Sequence, residues 1–289
     1  MPIFGLLCFF SFYSIYILRN EYPGEYLHVL LIISICIFTD IGGYIFGKVF
    51  KGPKLTKFSP NKTYSGMLGS YTLAILFEYI IAFSLALLLN TQIRARKFFR
   101  VAFLMPLMLS PVAVSWMIGK SMLEARFGPI SRLARELGWE NPSFFGSHEM
   151  ARSVIMMMDA WTFIPLMMIM ILAGLQAIPK EMHEAADVDG APPWKKFWEI
   201  TFPLMLPVSI TAILIRIIFK LKLADIIINV TSGGPGGATD SVTSFIFREY
   251  RDRSNVGYGT FLAIFYLIII VILMTILIKI ADKWMKPRY

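Results

Sequence analysis

Long apolar runs follow one another along almost the whole 289-residue chain, and they limit it to one class of fold. Hydrophobic residues make up 56% of the sequence and charged residues only 16%, which is far more apolar than a soluble domain. About seven runs are long enough to cross a bilayer as helices, near residues 3–18, 26–46, 67–89, 99–123, 154–175, 204–230 and 261–280. We therefore predict an all-α, polytopic membrane protein with about seven transmembrane helices and no separate soluble domain.

The net charge of +9 does not indicate a nucleic-acid-binding protein. The basic residues cluster in short loops beside the apolar runs, where retention of positive loops in the cytoplasm explains them. Cys8 and Cys36 lie inside apolar runs, and the three histidines have no metal-ligand spacing. The sequence thus predicts no nucleic-acid partner, no disulfide and no metal site.

The distribution of basic residues predicts which loops face the cytoplasm. They fill the loop after the third run and the C-terminal tail, namely Arg94, Arg96, Lys97, Arg100, Lys279, Lys283, Lys286 and Arg288. Both places should therefore be cytoplasmic. Counting the runs between them places the polar segment 179–207 in the cytoplasm as well, and it places segments 124–150 and 231–257 outside as wet loops.

Segment 179–207 is a polar interruption between two apolar runs, so it must lie at a membrane surface, where a soluble partner can dock. Pro179 stands where a helix can begin, and Glu181 and Glu184 fall in the first turns, where the helix dipole favours acids. Gly190 and the prolines after it interrupt the helix. The pattern predicts two short helices joined by a tight turn.

The residues of this segment resemble the cytoplasmic EAA loop of binding-protein-dependent ABC importer permeases. Every position of that motif is filled, by Glu184, Ala185, Ala186, Asp189, Gly190 and Ala191, and then by Phe197, Ile200 and Pro203. The resemblance implies that Glu184 to Ala191 couple the chain to a separate ATPase, with the loop helix seated in a cleft of that ATPase. The alternative is an ordinary amphipathic re-entrant loop.

From about residue 73 onward the chain resembles the sugar and polyol branch of these permeases, which have the type I importer core. The resemblance rests on residues 74–90, on Arg94 and 98–100, and on the glycine-rich stretch 231–239. It implies a multi-pass protein of the bacterial inner membrane. The implied partners are a second permease subunit, two copies of a cytoplasmic ATPase, an extracytoplasmic solute-binding protein and membrane lipid.

The chain itself is not expected to bind a nucleotide. The glycines at 233–237 are not followed by the Lys-Ser or Lys-Thr pair that a phosphate-binding loop requires, and the motif occurs nowhere else. ATP and magnesium should therefore be bound by the partner ATPase, and we predict no cofactor and no catalytic residue in this chain.

The apolar run 204–230 contains charged residues that are costly inside a membrane, chiefly Arg216, Lys220 and Asp225. Arg216 and Lys220 are four residues apart and share one helix face. Two interpretations are open at this point. The three side chains line the translocation path, or they form a structural ion pair with the partner permease.

Residues 1–70 resemble a different family, CDP-diacylglycerol synthase, the phosphatidate cytidylyltransferase. The resemblance rests on the stretch 38–48 with Asp40 and on the Ser-Pro-x-Lys-Thr stretch that contains Lys62 and Thr63. The downstream acids of that enzyme are missing, so a two-metal site cannot be completed. We expect Asp40, Lys62 and Thr63 to be inactive relics. The alternative functions are an active cytidylyltransferase or a non-functional hybrid.

The charge pattern predicts a boundary between residues 1–70 and the importer domain, residues 71–289. The lysines between 48 and 62 favour the cytoplasm, yet the next run must begin outside if the loop at 90–100 is cytoplasmic. Run 67–89 is re-entrant or reorganised, or the lysines are translocated, or two reading frames are joined near 69–72. We favour the joining, as a genuine fusion or an assembly artefact.

Overall fold

The structure is a computed structural model that describes residues 54–56, 59–91, 96–136, 138 and 140–285, with side chains from residue 71 to residue 283 within those ranges. Helices dominate it, as predicted. The exception is a short antiparallel hairpin of strands β1 (Lys54–Thr56) and β2 (Ser59–Thr63), in which Lys54 pairs with Thr63. This hairpin was not predicted from the sequence. The two predicted runs at 3–18 and 26–46 lie outside the described residues.

Helix α1 (Tyr64–Asn90) follows the hairpin directly and is 27 residues long. At 1.5 Å per residue it measures about 40 Å, which is long enough to cross a bilayer. It passes through residues 69–72 without a break, so no change of secondary structure marks the predicted join. The length of α1 favours a full membrane crossing rather than a re-entrant segment. The join near residues 69–72 stays a prediction.

The run 99–123 was predicted as a single span, but the structure shows two helices there instead of one straight helix. Helix α2 (Arg96–Met108) and helix α3 (Pro111–Val114), which continues as the wider π-helical segment Ser115–Met122, meet at an angle of 93°. Ser110 is extended, because a residue that precedes proline is disfavoured in the α conformation. Its hydroxyl accepts a hydrogen bond from the amide of Ala113 and caps the new helix.

The remaining elements form long spans with short helices between them. In chain order they are α4 (Pro129–Glu136), α5 (His148–Ala177), α6 (Lys180–Val188), α7 (Pro193–Lys196) with the π-helical Phe197–Thr201, α8 (Phe202–Leu221), α9 (Asp225–Val230), α10 (Val242–Arg251) and α11 (Val256–Met285). Segments 124–150 and 231–257, predicted as loops, therefore contain the short helices α4 and α10.

Helix α5 connects the two apolar clusters that form the core. Toward one end, Met168 and Ile171 of α5 pack with Leu89 of α1 and Met205 of α8. Toward the other end, Met158 of α5 belongs to a second cluster with residues from α3 and α9, among them Val114, Ile226 and Val230. The central helix of the fold is thus one that the sequence predicts from its apolar run alone.

By length and composition, four helices of the described chain can cross a membrane, or five if the bent pair α2 and α3 counts as one. They cover all the predicted runs from residue 67 onward. The predicted total of about seven is not confirmed, because the first two runs lie outside the described residues. Helix α11 differs from the other spans in that most of its large apolar side chains are exposed.

Candidate functional site

The polar loop between α5 and α8 has the predicted form of two short helices and a turn. Helix α6 begins directly after Pro179, with Glu181 in its first turn. It ends at a turn in which the amide of Ala191 donates to the carbonyl of Ala186 at 2.9 Å. Gly190 has a φ of +69°, in the left-handed region that favours glycine. The backbone conformation accounts for the glycine of the motif.

The motif residues point in two directions. Ala186 is buried against the rest of the chain, whereas Glu184, Ala185, Asp189 and Gly190 are exposed. Ala191 is half-buried. Val188, within the same helix, is 88% exposed although it is apolar. The loop therefore presents a small, partly apolar and partly acidic surface that the described chain does not cover.

Side chains from α7 onward hold this loop against the spans. Lys196 forms an ion pair with Asp187 across the turn. The ring of Phe197 packs edge-on against Trp198 at 5.1 Å and against Phe83 of α1 at 5.9 Å. The end of the loop at Phe197 is therefore packed against α1, and it continues directly into α8.

A second group of polar residues is buried between α1, α5 and α8, and we call it the ion cluster. Its members are Glu78 of α1, Asp159 of α5, and Arg216 and Lys220 of α8. Arg216 Nε donates to Glu78 Oε2 at 2.6 Å, and its Nη2 donates to Asp159 Oδ2 at 2.5 Å. Lys220 Nζ lies 2.8 Å from one oxygen of each acid.

Each cation of the ion cluster thus contacts both acids, and the four formal charges sum to zero. All four side chains are at most 5% exposed. Arg216 also lies over the ring of Phe163, with its Cζ atom 5.0 Å from the ring centroid. Full mutual pairing is what allows ionised groups to lie inside an apolar helix bundle.

The ion cluster bears on the two interpretations of Arg216 and Lys220. Both side chains pair with acids of their own chain, an arrangement that neither interpretation includes. Asp225 is not part of the cluster: it is exposed at the first position of α9, where the helix dipole favours an acid. The spacing of Arg216 and Lys220 correctly placed them on one helix face.

Glu78 and Asp159 were not singled out from the sequence. The available signal was simple, because each is a lone acid in an otherwise apolar run. An acid inside a membrane span is a candidate functional or structural residue by that fact alone. Its partners could not be named, since they lie 57 to 142 positions away in the chain.

The glycine-rich stretch between α9 and α10 is held by two arginines. Arg152 of α5 donates from Nη2 to the carbonyl of Ala238 at 3.1 Å. Arg248 of α10 pairs with Asp240 and donates to the carbonyl of Ser232. Gly233, Gly236 and Gly237 all have a positive φ, so this tight path requires glycine.

The relic candidates of the N-terminal segment have no described site. Asp40 lies outside the described residues. Lys62 and Thr63 belong to strand β2, of which the structure describes the backbone only.

The chain matches the family described as the inner membrane component of binding-protein-dependent transport systems, over residues 27–287. This match starts inside the segment that resembles the cytidylyltransferase. The division near residue 70 stays a prediction.

Several permeases of known systems are similar to this chain. The trehalose/maltose transport system permease protein MalF of Thermococcus litoralis is 33% identical over 207 residues, which cover 72% of this chain and 70% of that protein. The sulfoquinovosyl glycerol transport system permease protein SmoG of Agrobacterium fabrum is 35% identical over 62% of this chain and 58% of its own length. The sn-glycerol-3-phosphate transport system permease protein UgpA of the same organism is 28% identical, over 79% and 80%.

Two solved structures share the fold. One is a bacterial alginate ABC transporter in complex with an alginate-bound periplasmic protein, with a TM-score of 0.66, 22% identity, and coverage of 74% of this chain and 75% of that chain. The other is a bacterial ABC transporter for alginate import, with a TM-score of 0.67, 20% identity, and coverage of 99% and 90%. The predicted helical permease core is confirmed. The chain belongs to the inner membrane components of binding-protein-dependent transport systems, and it is a multi-pass ABC transporter permease.

Proposed function

We propose that the chain is the permease subunit of an ATP-driven importer for a sugar or polyol. The named relatives that support this proposal belong to transport systems for trehalose or maltose, sulfoquinovosyl glycerol and sn-glycerol-3-phosphate. All these solutes carry several hydroxyl groups. The proposed partners are a second permease, two copies of a cytoplasmic ATPase and an extracytoplasmic solute-binding protein. ATP and magnesium bind to the ATPase.

The proposed coupling element is helix α6 with the turn after it. This assignment rests on the exposure of four side chains beside Gly190, namely Glu184, Ala185, Val188 and Asp189. The loop that contains them lies between two spans. Exposed small and apolar residues favour close approach of a partner, and the acids supply charged hydrogen-bond acceptors. The loop and the C-terminus face the cytoplasm in this proposal. Movement of the docked ATPase is transmitted to α5 and α8.

The coupling proposal is tested at Gly190, because, apart from its chain neighbours, no atom of the described chain lies within 4 Å of a Cβ atom added there. Gly190→Leu and Gly190→Ala both place an L-residue at a φ of +69°, at a similar conformational cost of about 1 to 2 kcal/mol. They differ in bulk only. The alanine variant is therefore the matched control for backbone strain.

The assay uses proteoliposomes that contain the chain, its second permease and the ATPase, with the loaded binding protein inside or outside. We expect Gly190→Leu to abolish uptake and stimulation of ATP hydrolysis, while Gly190→Ala retains most of both. Equal activity of the two variants contradicts docking at this loop. Conversion of CTP and phosphatidate by the purified chain alone would instead support the cytidylyltransferase alternative.

The path-lining role of Arg216, Lys220 and Asp225 is also a proposal. Asp225 is the member of the three whose exposure suits a water-filled path. For Arg216 and Lys220 a path role requires the ion cluster to open during transport. Asp225→Asn should then alter the apparent affinity for solute in the same proteoliposomes and leave basal ATP hydrolysis unchanged. An unchanged affinity removes Asp225 from the path.

A further inference from the structure

A cleft of about 190 Å³ lies between helices α2 and α5, near the end of α5 that leads into the coupling loop. Most of its wall is apolar and comes from Leu104 of α2 and from Ile169, Leu172 and Ala173 of α5. Ile169 and Ala173 are exposed, so the cleft opens to the surroundings of the spans. The apolar part of the cleft is therefore suited to a hydrocarbon chain.

The other end of the cleft is polar and positively charged. Arg100 and Gln176 line it, and they lie in the second turn of α2 and the last turn of α5. With its amide oxygen turned toward α2, Gln176 accepts hydrogen bonds from Arg100 and from Arg96, the latter at 3.1 Å. No carboxylate of the described residues pairs with either arginine. The charge of this end is thus uncompensated within that part of the chain.

One donor of Arg100 is left without a partner. Its Nε atom is buried and makes no hydrogen bond to the described residues. A buried donor without an acceptor is destabilising, more so for a charged group, and is unusual in a folded protein. Guanidinium groups bind phosphate oxygens especially well, because their N–H groups form a planar fork. An external phosphate group beside the guanidinium of Arg100 would compensate its charge.

The charged end lies at the start of α2 and the end of α5, and the ends of membrane-crossing helices lie near lipid headgroups. The apolar wall extends from there toward the middle of α5. We propose that this cleft binds one anionic phospholipid, with the phosphodiester on Arg100 and an acyl chain along Leu104, Ile169 and Ala173. The assignment to the cytoplasmic leaflet rests on the proposed function, since it follows from the cytoplasmic coupling loop. The negative surface potential of that leaflet favours the same occupant.

The chain offers matched controls for a binding experiment. Arg100→Gln removes the charge in the cleft, and Lys97→Gln removes the same charge from an exposed position one turn earlier on α2. Ala173→Phe fills the apolar part, and Ala177→Phe adds the same ring one turn later on α5, outside the lining residues. All four variants should elute like the unchanged chain in size-exclusion chromatography before they are compared.

The measurement is native mass spectrometry of the purified full chain after titration with dioleoylphosphatidylglycerol, dioleoylphosphatidylcholine or glycerol phosphate. We expect one tightly bound phosphatidylglycerol and much weaker binding of phosphatidylcholine and of glycerol phosphate. Arg100→Gln should weaken the phosphatidylglycerol affinity about tenfold or more, because a charge-assisted contact is lost. Lys97→Gln should weaken it by no more than about twofold. Ala173→Phe should abolish binding and Ala177→Phe should not.

Four results would overturn the proposal. Equal losses for Arg100→Gln and Lys97→Gln would show that attraction is non-specific. Equal binding of phosphatidylcholine, which has the same phosphodiester beside a cationic choline, would show that the net negative charge of the lipid has no role. Equally tight binding of glycerol phosphate would reduce the cleft to a simple anion site. Absence of any bound phosphatidylglycerol would show that another occupant covers the cleft. Because this binding requires neither ATP nor partner subunits, its result is independent of the uptake assay.

Discussion

Arg216 has the largest fully buried side chain of the described core, and its charge is compensated only by two acids from other helices. Replacement by methionine keeps much of the volume and removes the charge. Two carboxylates then share the single ammonium of Lys220. Breaking a buried network in this way leaves an uncompensated charge, which is more costly than the loss of the hydrogen bonds themselves.

We predict that Arg216→Met lowers the free energy of unfolding by about 3 to 5 kcal/mol. The measurement is denaturant-induced unfolding of the purified chain in detergent. Lys222→Met is the control, because Lys222 is exposed and ends the same helix. It should change stability by no more than about 1 kcal/mol, because it removes an exposed cation–π contact with the ring of Phe219. Similar losses in the two variants would show that the ion cluster does not stabilise the fold.

The sequence predicts part of this cluster. The four-residue spacing places Arg216 and Lys220 on one face of a helix, and the structure confirms that placement. The acids come from helices 57 and 138 residues away from Arg216. No local pattern connects such positions, because the meeting of α1, α5 and α8 is decided by packing. The buried pairing could therefore not be derived from the run 204–230 alone.

Helices α10 and α11 cross at a point where only a glycine fits. A Cβ atom added at Gly259 would lie 2.9 Å from Cβ and 3.0 Å from Cα of Tyr250, and backbone atoms cannot move aside as a flexible side chain can. At Gly257, in the same helix, no atom of the described residues lies within 4 Å of an added Cβ atom, its chain neighbours aside. The two glycines differ only in their surroundings.

We predict that Gly259→Ala lowers stability by about 1 to 3 kcal/mol through overpacking. Gly257→Ala should be neutral or stabilise the chain by up to about 1 kcal/mol, because alanine is the better helix former. Thermal unfolding in detergent, followed by circular dichroism, distinguishes the two variants. A lower melting temperature for Gly257→Ala than for Gly259→Ala would contradict the observed crossing.

At the scale of elements, apolar runs predict where the spans lie, but they do not predict the bends within a span. The runs from residue 67 onward all correspond to helices, because a hydrocarbon environment permits little else for a long apolar segment. The 93° bend between α2 and α3 depends on Ser110 and Pro111, which were read as part of a continuous span. The motif loop was predicted closely, since proline and glycine mark its helix ends directly.

At the scale of the whole molecule, the proposed orientation predicts which surfaces a water-soluble reagent reaches in intact cells. Asp189 belongs to the coupling loop and Asp252 to the end of α10, and both are exposed. With Cys8 and Cys36 replaced by serine, Asp252→Cys should react with a membrane-impermeant maleimide. Asp189→Cys should react only after permeabilisation. The reverse pattern would place the motif loop outside and exclude contact with a cytoplasmic ATPase.

The separation of the ion-cluster partners along the chain has a consequence for biosynthesis. Glu78 leaves the ribosome 138 residues before Arg216, so at 5 to 20 residues per second its span waits about 7 to 28 s for this cation. Throughout that interval the first described span carries an unmatched carboxylate. Retention of this span in the membrane therefore depends on the insertion machinery until α8 emerges.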